Sequence, residues 1–360
     1  MNWAVVMTGG RGTRFWPESR NRRPKPFLKL VGRRTLLEET VHRLEPFFSP
    51  SQILIVLQDF LIPDARRLFP RIPPENFLGE PLGRNTAPCC VYAASRVASR
   101  DPNAKLVFLP SDQFIRPASR YLNTLKTAFQ LVDEKPVLLG MRPTSPHTGY
   151  GYLEVGPRKG KINGIASFSV KRFREKPHSL QAQQFLKRGN FFWNGGTFIW
   201  RLDAFQAAVR NYFPRLSPAF RKLADPRMKG KRLAAFYRTL PSISIDYAVM
   251  EKMKNVHCLL APFEWKDLGG WEGVAEFWRE DRAKNRVGWG EVRRAGPQPI
   301  FVKSFRNIVK SNRRLVALVG AEDLVVVDTD DALLVCHRSQ AEEIRGVVQE
   351  LERRRAHRYL

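Results

Sequence analysis

Near its start the chain passes from four apolar residues, Ala4-Val5-Val6-Met7, directly into Thr8-Gly9-Gly10-Arg11-Gly12-Thr13-Arg14. An unbroken apolar run without alternation fits a strand covered on both faces, and therefore a sheet flanked by helices. Glycines at 9, 10 and 12 allow the backbone to turn sharply, so that successive N–H groups can converge on an anionic group. The run is not a Walker loop, because GxxxxGK[ST] is absent, and in a dinucleotide GxGxxG fingerprint the third glycine would fall on Phe15. A tight turn with a solvated arginine is the plain alternative. Arg14, together with Lys25 in Pro24-Lys25-Pro26-Phe27-Leu28, supplies more positive charge than a turn requires.

The pattern after this loop repeats strand and helix. Ile53–Leu57, Leu106–Leu109 and Val137–Gly140 read as further buried strands, and Leu36–Leu44, Pro88–Ser99 and Tyr121–Leu131 have helical spacing. Alternation of this kind predicts βαβ units on a mostly parallel sheet. Thr86 before Pro88 suits a helix start. From about Gly149 to Lys266 strands mix with helices such as Leu180–Lys187 and Ile245–Met253, as in an insertion over the end of the sheet. After Asp281–Val287 the texture changes to short strands, at Ile300–Lys303, Asn307–Lys310, Leu315–Val319, Leu324–Asp328 and Ala332–Cys336. Rung-like spacing without a strict repeat predicts a small β-domain or β-solenoid, closed by a helix over Ala341–Arg355.

Several segments, taken in order, resemble one family. GGxGTRxxP over Gly9–Pro17 with PKxFL at Pro24–Leu28, and Glu80-Pro81-Leu82-Gly83-Arg84-Asn85-Thr86-Ala87-Pro88, are followed by Pro110-Ser111-Asp112 and Gly149-Tyr150-Gly151-Tyr152. Phe173-Arg174-Glu175-Lys176-Pro177, Trp193-Asn194-Gly195-Gly196, Ser244–Glu251 and Trp265-Lys266-Asp267-Leu268-Gly269-Gly270-Trp271 complete the set. The set resembles the sugar nucleotidyltransferases, in their mannose-1-phosphate guanylyltransferase branch, and spans residues 8 to 271. Two positions depart from the family pattern: Met7-Thr8 stands for the usual Leu-Ala, and Gln113 for the usual His after the metal Asp.

The resemblance implies an α/β fold: a doubly wound, Rossmann-like (GT-A type) nucleotidyltransferase domain over 1–283, and a small left-handed β-helix-like domain with a terminal helix over 284–360. It implies GTP and α-D-mannose 1-phosphate as substrates and Mg²⁺ as cofactor. Gly9, Gly10, Gly12, Thr13, Glu80, Asn85 and Thr86 would bind the nucleotide, and Arg14 and Lys25 would act on its phosphates. Gly149, Glu175, Lys176 and Asn194 would bind the sugar phosphate, and Asp112 with Asp267 would hold the metal. Longer members carry an isomerase domain after this region, and residues 284–360 are too few to hold one.

The chemistry of these residues is consistent with such roles, beside plainer ones. Asp112 follows a strand, at the sheet edge where α/β proteins bind ligands, and is equally a turn or cap residue. Two carboxylates with triphosphate oxygens make a magnesium site, since that ion keeps few protein ligands. Glu175 accepts from sugar hydroxyls and Lys176 pairs with a phosphate, or the two form an exposed ion pair. Asn194 contacts a hydroxyl or takes a left-handed turn. Glu80 meets the two donors of a guanine edge or is a solvated charge.

Other classes are disfavoured. Hydrophobic residues are 43% and charged residues 26% of the chain, which excludes a disordered or fibrous protein. No apolar run reaches membrane-spanning length, and Cys89, Cys90, Cys258 and Cys336 form no CxxC pair, so a reduced, cytoplasmic protein without membrane attachment is expected. The six histidines lack zinc spacing, and there is no GxSxG elbow. The net charge of +27 invites polyanions, yet the basic runs Arg20–Arg23, Arg33-Arg34, Arg313-Arg314 and Arg353–Arg355 are scattered and lack aromatic interleaving. Another manno-configured substrate such as a heptose 1-phosphate, or a nucleic-acid-binding protein on a degenerate transferase fold, are the rival readings. A homodimer is compatible with the chain.

Overall fold

The computed structural model describes residues 1–133, 135–288 and 297–360. The stretch 289–296 of the expected C-terminal domain lies outside the described residues. Two compact units emerge, each assembled from separate pieces of chain: Met1–Gly9, Val41–Ser111 and Ile115–Trp265 form the first, and Gly10–Thr40, Asp112–Phe114 and Lys266–Leu360 the second.

In chain order the strands up to Asp267 are β1 (Asn2–Met7), β2 (Ile53–Gln58), β3 (Phe77–Glu80), β4 (Lys105–Pro110), β5 (Gln113–Arg116), β6 (Val137–Met141), β7 (Tyr152–Ile162), β8 (Ile165–Arg174), β9 (Phe191–Arg201), β10 (Val256–Leu260) and β11 (Glu264–Asp267). Strands β5 and β11 pair with each other, and the other nine form one sheet in the order β3-β2-β1-β4-β9-β6-β10-β8-β7. Strands β1 to β4 run parallel, with Ala4 opposite Ile53 and Val107. Ala4, Val5 and Val6 are all fully buried, so both faces of β1 are covered, as its unbroken apolar run requires. A core of Val5, Leu54, Val56 and Phe108 from the sheet with Val91, Ala94, Phe205 and Tyr237 from the helices fills the first unit.

Here the structure departs from a simple insertion. Strand β9 enters the middle of the sheet antiparallel to β4 and β6, and β8 and β7 extend it beyond β10. Four strands of the segment read as lying over the sheet, β7 to β10, are therefore part of it. The physical reason is that Phe192, Phe198, Ile199 and Trp200 are buried within it.

The second unit has its own core. Phe15, Trp16 and Leu28 pack with Leu268, Trp271 and Trp278, and with Ile308, Val325 and Val348. Its later strands are β12 (Arg279–Glu280), β13 (Arg286–Gly288), β14 (Ile300–Val302), β15 (Ile308–Ser311), β16 (Ala317–Val319), β17 (Leu324–Asp328) and β18 (Leu333–His337). Parallel pairing of β13, β15 and β17 on one face and of β14 with β16 on another makes a short β-helix. Inside it Asn307 donates its amide Nδ2 to Asn285 Oδ1 (3.0 Å) and to the Ala321 carbonyl (2.9 Å), and its Oδ1 accepts from Leu324 N (3.0 Å). Both asparagines are fully buried, and the ladder satisfies backbone groups that the coil's corner would leave unpaired. The helix Ile344–Arg353 closes the unit.

Candidate active site

The glycine loop starts in the first unit and continues in the second. Thr8 is fixed by β2, donating from both N (2.8 Å) and Oγ1 (2.6 Å) to the Val56 carbonyl, which gives the unusual threonine a structural task. Gly9 and Gly10 are exposed. Gly10 and Gly12 have φ of 91° and 66°, the left-handed region that favours glycine. A β-carbon on Gly12 would lie 2.5 Å from Lys25 Cβ. This close approach brings loop and lysine together, and Ser19 Oγ reinforces it by donating to the Gly12 carbonyl at 2.7 Å.

Lys25 begins a single 3₁₀ turn between two prolines, which restrict its backbone. Its side chain is almost wholly buried, and Nζ lies 2.8 Å from Asp112 Oδ2 and 3.2 Å from Asp267 Oδ1. Burial alone would push the ammonium's pKa down, but the two carboxylates outweigh it and hold Lys25 above its ordinary range. Asp112 precedes β5 and Asp267 ends β11, the paired strands that converge the two acids. Gln113, beside Asp112, is buried at the start of β5. Arg14 Nε pairs with Glu342 at 2.7 Å, while Arg14 Nη1 donates to the Gly269 carbonyl at 3.5 Å. Thr13 starts the short turn Thr13–Phe15.

Asp112 and Asp267 point at one cation, Nζ of Lys25, so the pair has the donor type and convergence that a hard divalent ion needs. Among the described residues no group of three or more His, Cys, Asp or Glu is placed to hold a metal. A metal here would take its remaining ligands from a bound substrate or water.

The other expected residues lie in the first unit. Glu80 ends β3, and burial raises its carboxyl to about 7, even though the Tyr237 hydroxyl donates to Oε1 at 3.3 Å. Asn85, not Thr86, caps the following helix: with φ 65° its Oδ1 accepts from Thr86 N at 2.8 Å. Thr86 Oγ1 accepts from Ile245 N (2.9 Å), and Arg84 donates to the carbonyls of Tyr237 (3.2 Å) and Arg238 (2.7 Å). These three residues thus tie the segment after β3 to the helix start and to the region of Tyr237, whose hydroxyl reaches Glu80.

Asn194 lies inside β9 and has no left-handed conformation; Gly196 has it, with φ 67°. Its Nδ2 donates to Asp246 Oδ1 (3.2 Å) and its Oδ1 accepts from Gly196 N (3.1 Å), which fixes the amide's orientation. Glu175 sits beside it. A β-carbon on Gly151 would be 2.5 Å from Glu175 Oε2 and 3.3 Å from Asn194 Cβ, so the glycine makes room for both. Glu251 Oε1 accepts from Glu175 N at 2.8 Å, and Lys176 lies 3.7 Å from Glu175 Oε1. Burial, then the nearby Asp246, raises the Glu175 carboxyl to about 7, and burial raises Asp246 to about 6. Gly149 N donates to His147 Nδ1 (3.1 Å), beside Tyr150, whose ring stacks on His147 at 3.9 Å. Sequence reasoning named no role for Asp246, Glu251 or Gly151. Their signal was present only as quoted motif residues, and their partners lie far away in sequence.

Parallel strands β1 to β4 with a glycine loop after the first of them, and a buried lysine between two carboxylates, define a class of enzyme that handles phosphate esters. The chain belongs to the nucleotidyl transferase family, whose model matches residues 3–284, and a MannoseP isomerase/GMP-like β-helix domain matches 298–351. Among its relatives is the xanthan biosynthesis protein XanB of Xanthomonas campestris pv. campestris (strain B100), 34% identical over 97% of this chain and 73% of that protein. The mannose-1-phosphate guanylyltransferase of Escherichia coli (strain K12) is 31% identical over 97% of this chain and 73% of its own. A crystal structure from Thermus thermophilus, described as a mannose-1-phosphate geranyltransferase, is 34% identical, with a TM-score of 0.85 and coverage of 98% of this chain and 99% of that one.

Proposed function

We propose that the protein transfers GMP from GTP to α-D-mannose 1-phosphate, giving GDP-mannose and pyrophosphate. The observation that carries this reading is the near-complete alignment with the E. coli guanylyltransferase, over 97% of this chain. The half-buried Glu80 carboxyl supports a guanylyl donor over a geranyl one, because it complements a base edge that donates hydrogen bonds and is a poor neighbour for an apolar chain. The family-model limits at 284 and 298 support a division of the chain near 283/284.

In this proposal Glu80 accepts from guanine N1–H and N2–H₂, while Asn85 and Thr86 shape the base pocket. The amides of Gly9, Gly10, Gly12 and Thr13 and the side chains of Arg14 and Lys25 hold the triphosphate. Glu175 and Asn194 accept and donate to the sugar hydroxyls, Lys176 takes the sugar's phosphate, and Gly149 gives the ring room. A phosphate monoester is largely dianionic at neutral pH, with a second pKa of about 6, so its oxygen attacks without a general base. One P–O bond forms from that oxygen to the α-phosphorus, in line with the α–β bridge, whose P–O bond breaks and leaves pyrophosphate with the electron pair. Lys25 and Arg14 stabilise the charge that gathers on the leaving group. When bound to Asp112 and Asp267, magnesium would supply further neutralisation of the phosphate oxygens. In this proposal the enzyme works in the cytoplasm on its two small substrates; among the described residues no helix is long and apolar enough to cross a membrane.

The test is pyrophosphate release from a panel of nucleoside triphosphates and sugar 1-phosphates. GTP with mannose 1-phosphate should give the highest kcat/KM. A higher value for ATP, UTP, glucose 1-phosphate or a heptose 1-phosphate would overturn the assignment.

A further inference from the structure

We infer that Lys25 is a resident cation that must leave Asp112 and Asp267 before a divalent metal can bind there, so that the nucleotide itself opens the metal site. The inference rests on the assignment of these two carboxylates to the metal and goes beyond it. The geometry is specific. Nζ lies 2.8 and 3.2 Å from one oxygen of each aspartate, and the lysine side chain is 9% exposed against 23% and 39% for the acids. An ammonium so enclosed occupies the space between the two carboxylates that would hold a metal. A second cation beside it would meet a like charge at close range in a poorly solvated place. One ammonium against two carboxylates leaves a net charge of −1 where −2 would otherwise meet a metal, so the pair attracts a metal alone more weakly.

The same lysine is the one expected on the phosphates. A triphosphate entering over the glycine loop offers Nζ new oxygens. Moving to them releases both carboxylates together, at the moment when the phosphates can complete a metal's coordination. Gly12 keeps this exchange short-ranged, because the loop backbone abuts the lysine's own β-carbon. No covalent bond is made or broken: the lysine gives up its two carboxylate partners for phosphate oxygens, the carboxylates become free to hold a metal, and metal and nucleotide affinities are coupled reciprocally.

Mn²⁺ binding to the nucleotide-free protein, followed by electron paramagnetic resonance, tests the idea without reference to turnover. Lys25→Met removes the charge with little loss of volume, and Lys25→Gln gives a second neutral variant should the first fold poorly. Both should bind Mn²⁺ roughly tenfold or more tightly than wild type. Lys25→Arg, which keeps the charge, should show no gain. Adding Asp112→Asn or Asp267→Asn to Lys25→Met should abolish the gain. Unchanged Mn²⁺ affinity in both neutral variants would overturn the exchange while leaving the two-carboxylate site intact. A gain that survives both aspartate changes would instead remove the metal site itself.

Discussion

Replacing Gly12 by alanine isolates the contact on which the proposed phosphate site depends. The new β-carbon would stand 2.5 Å from Lys25 Cβ and 3.2 Å from Lys25 Cα. Carbon atoms rest about 3.5–4.0 Å apart, so Lys25 must retreat by about 1 Å, and its backbone with it. A 1 Å displacement of a positioned group costs about 10²-fold in rate, equivalent to about 2.7 kcal/mol of barrier. The φ of 66° adds backbone strain of about 1 kcal/mol or more, which appears in stability. Gly10→Ala is the matched control, since its φ of 91° carries similar strain but no atom lies within 4 Å of the place its β-carbon would take. Steady-state pyrophosphate release, with thermal melting of the same samples, separates the two effects. Both variants should lose a few degrees of Tm. Only Gly12→Ala should lose about 10²-fold in kcat. If Gly12→Ala turns over as fast as Gly10→Ala, the Gly12–Lys25 contact does not position the lysine for chemistry.

Three further outcomes follow from the geometry. Because burial holds the Glu80 carboxyl at about 7 and guanine requires the ionised form, kcat/KM for GTP should rise as pH climbs toward about 7 and level off above it; Glu80→Gln should flatten this limb, and a limb that persists in the variant would assign it elsewhere. Glu175→Gln should raise KM for mannose 1-phosphate and spare that for GTP, whereas Lys176→Ala should weaken mannose and glucose 1-phosphates alike; a change confined to the mannose-to-glucose ratio in Lys176→Ala would move the phosphate contact to another group. Asn307→Ala leaves Leu324 N inside the β-helix without its side-chain acceptor, while the Ala321 carbonyl keeps Phe305 N as donor; urea unfolding should show a loss of about 1–3 kcal/mol, and an unchanged midpoint would mean the ladder is dispensable.

How much of this was legible beforehand differs by residue. Strand β1 and its loop were readable because their signal is local: an apolar run of fixed length and glycines at a turn. Leu36–Leu44 matches its helix because its amphipathic spacing survives intact. The convergence of Lys25 with Asp112 and Asp267 was expected only as a pair of carboxylates near phosphates, and the ion pairs that join all three came from folding. Strand β9 was harder. Trp193-Asn194-Gly195-Gly196 has the composition of a turn, and only burial against neighbouring strands shows it to be extended. Glu251 accepts from a backbone group 76 positions earlier, and no periodicity encodes such a partner. Likewise, nothing local indicates that Phe15 and Trp16 share a core with Ile308 and Val325, because hydrophobic contacts leave no trace of their partner in sequence.

The central claim, direct guanylyl transfer to a sugar phosphate, is tested by following two labels in one reaction. GTP carrying ³²P at the α position, incubated with mannose 1-phosphate, magnesium and the enzyme, should deliver its label wholly to GDP-mannose. GTP labelled at the γ position should deliver its label wholly to pyrophosphate. Recovery of the γ label as inorganic phosphate with no pyrophosphatase present, or of the α label as free GMP or GDP without sugar attached, would contradict the account.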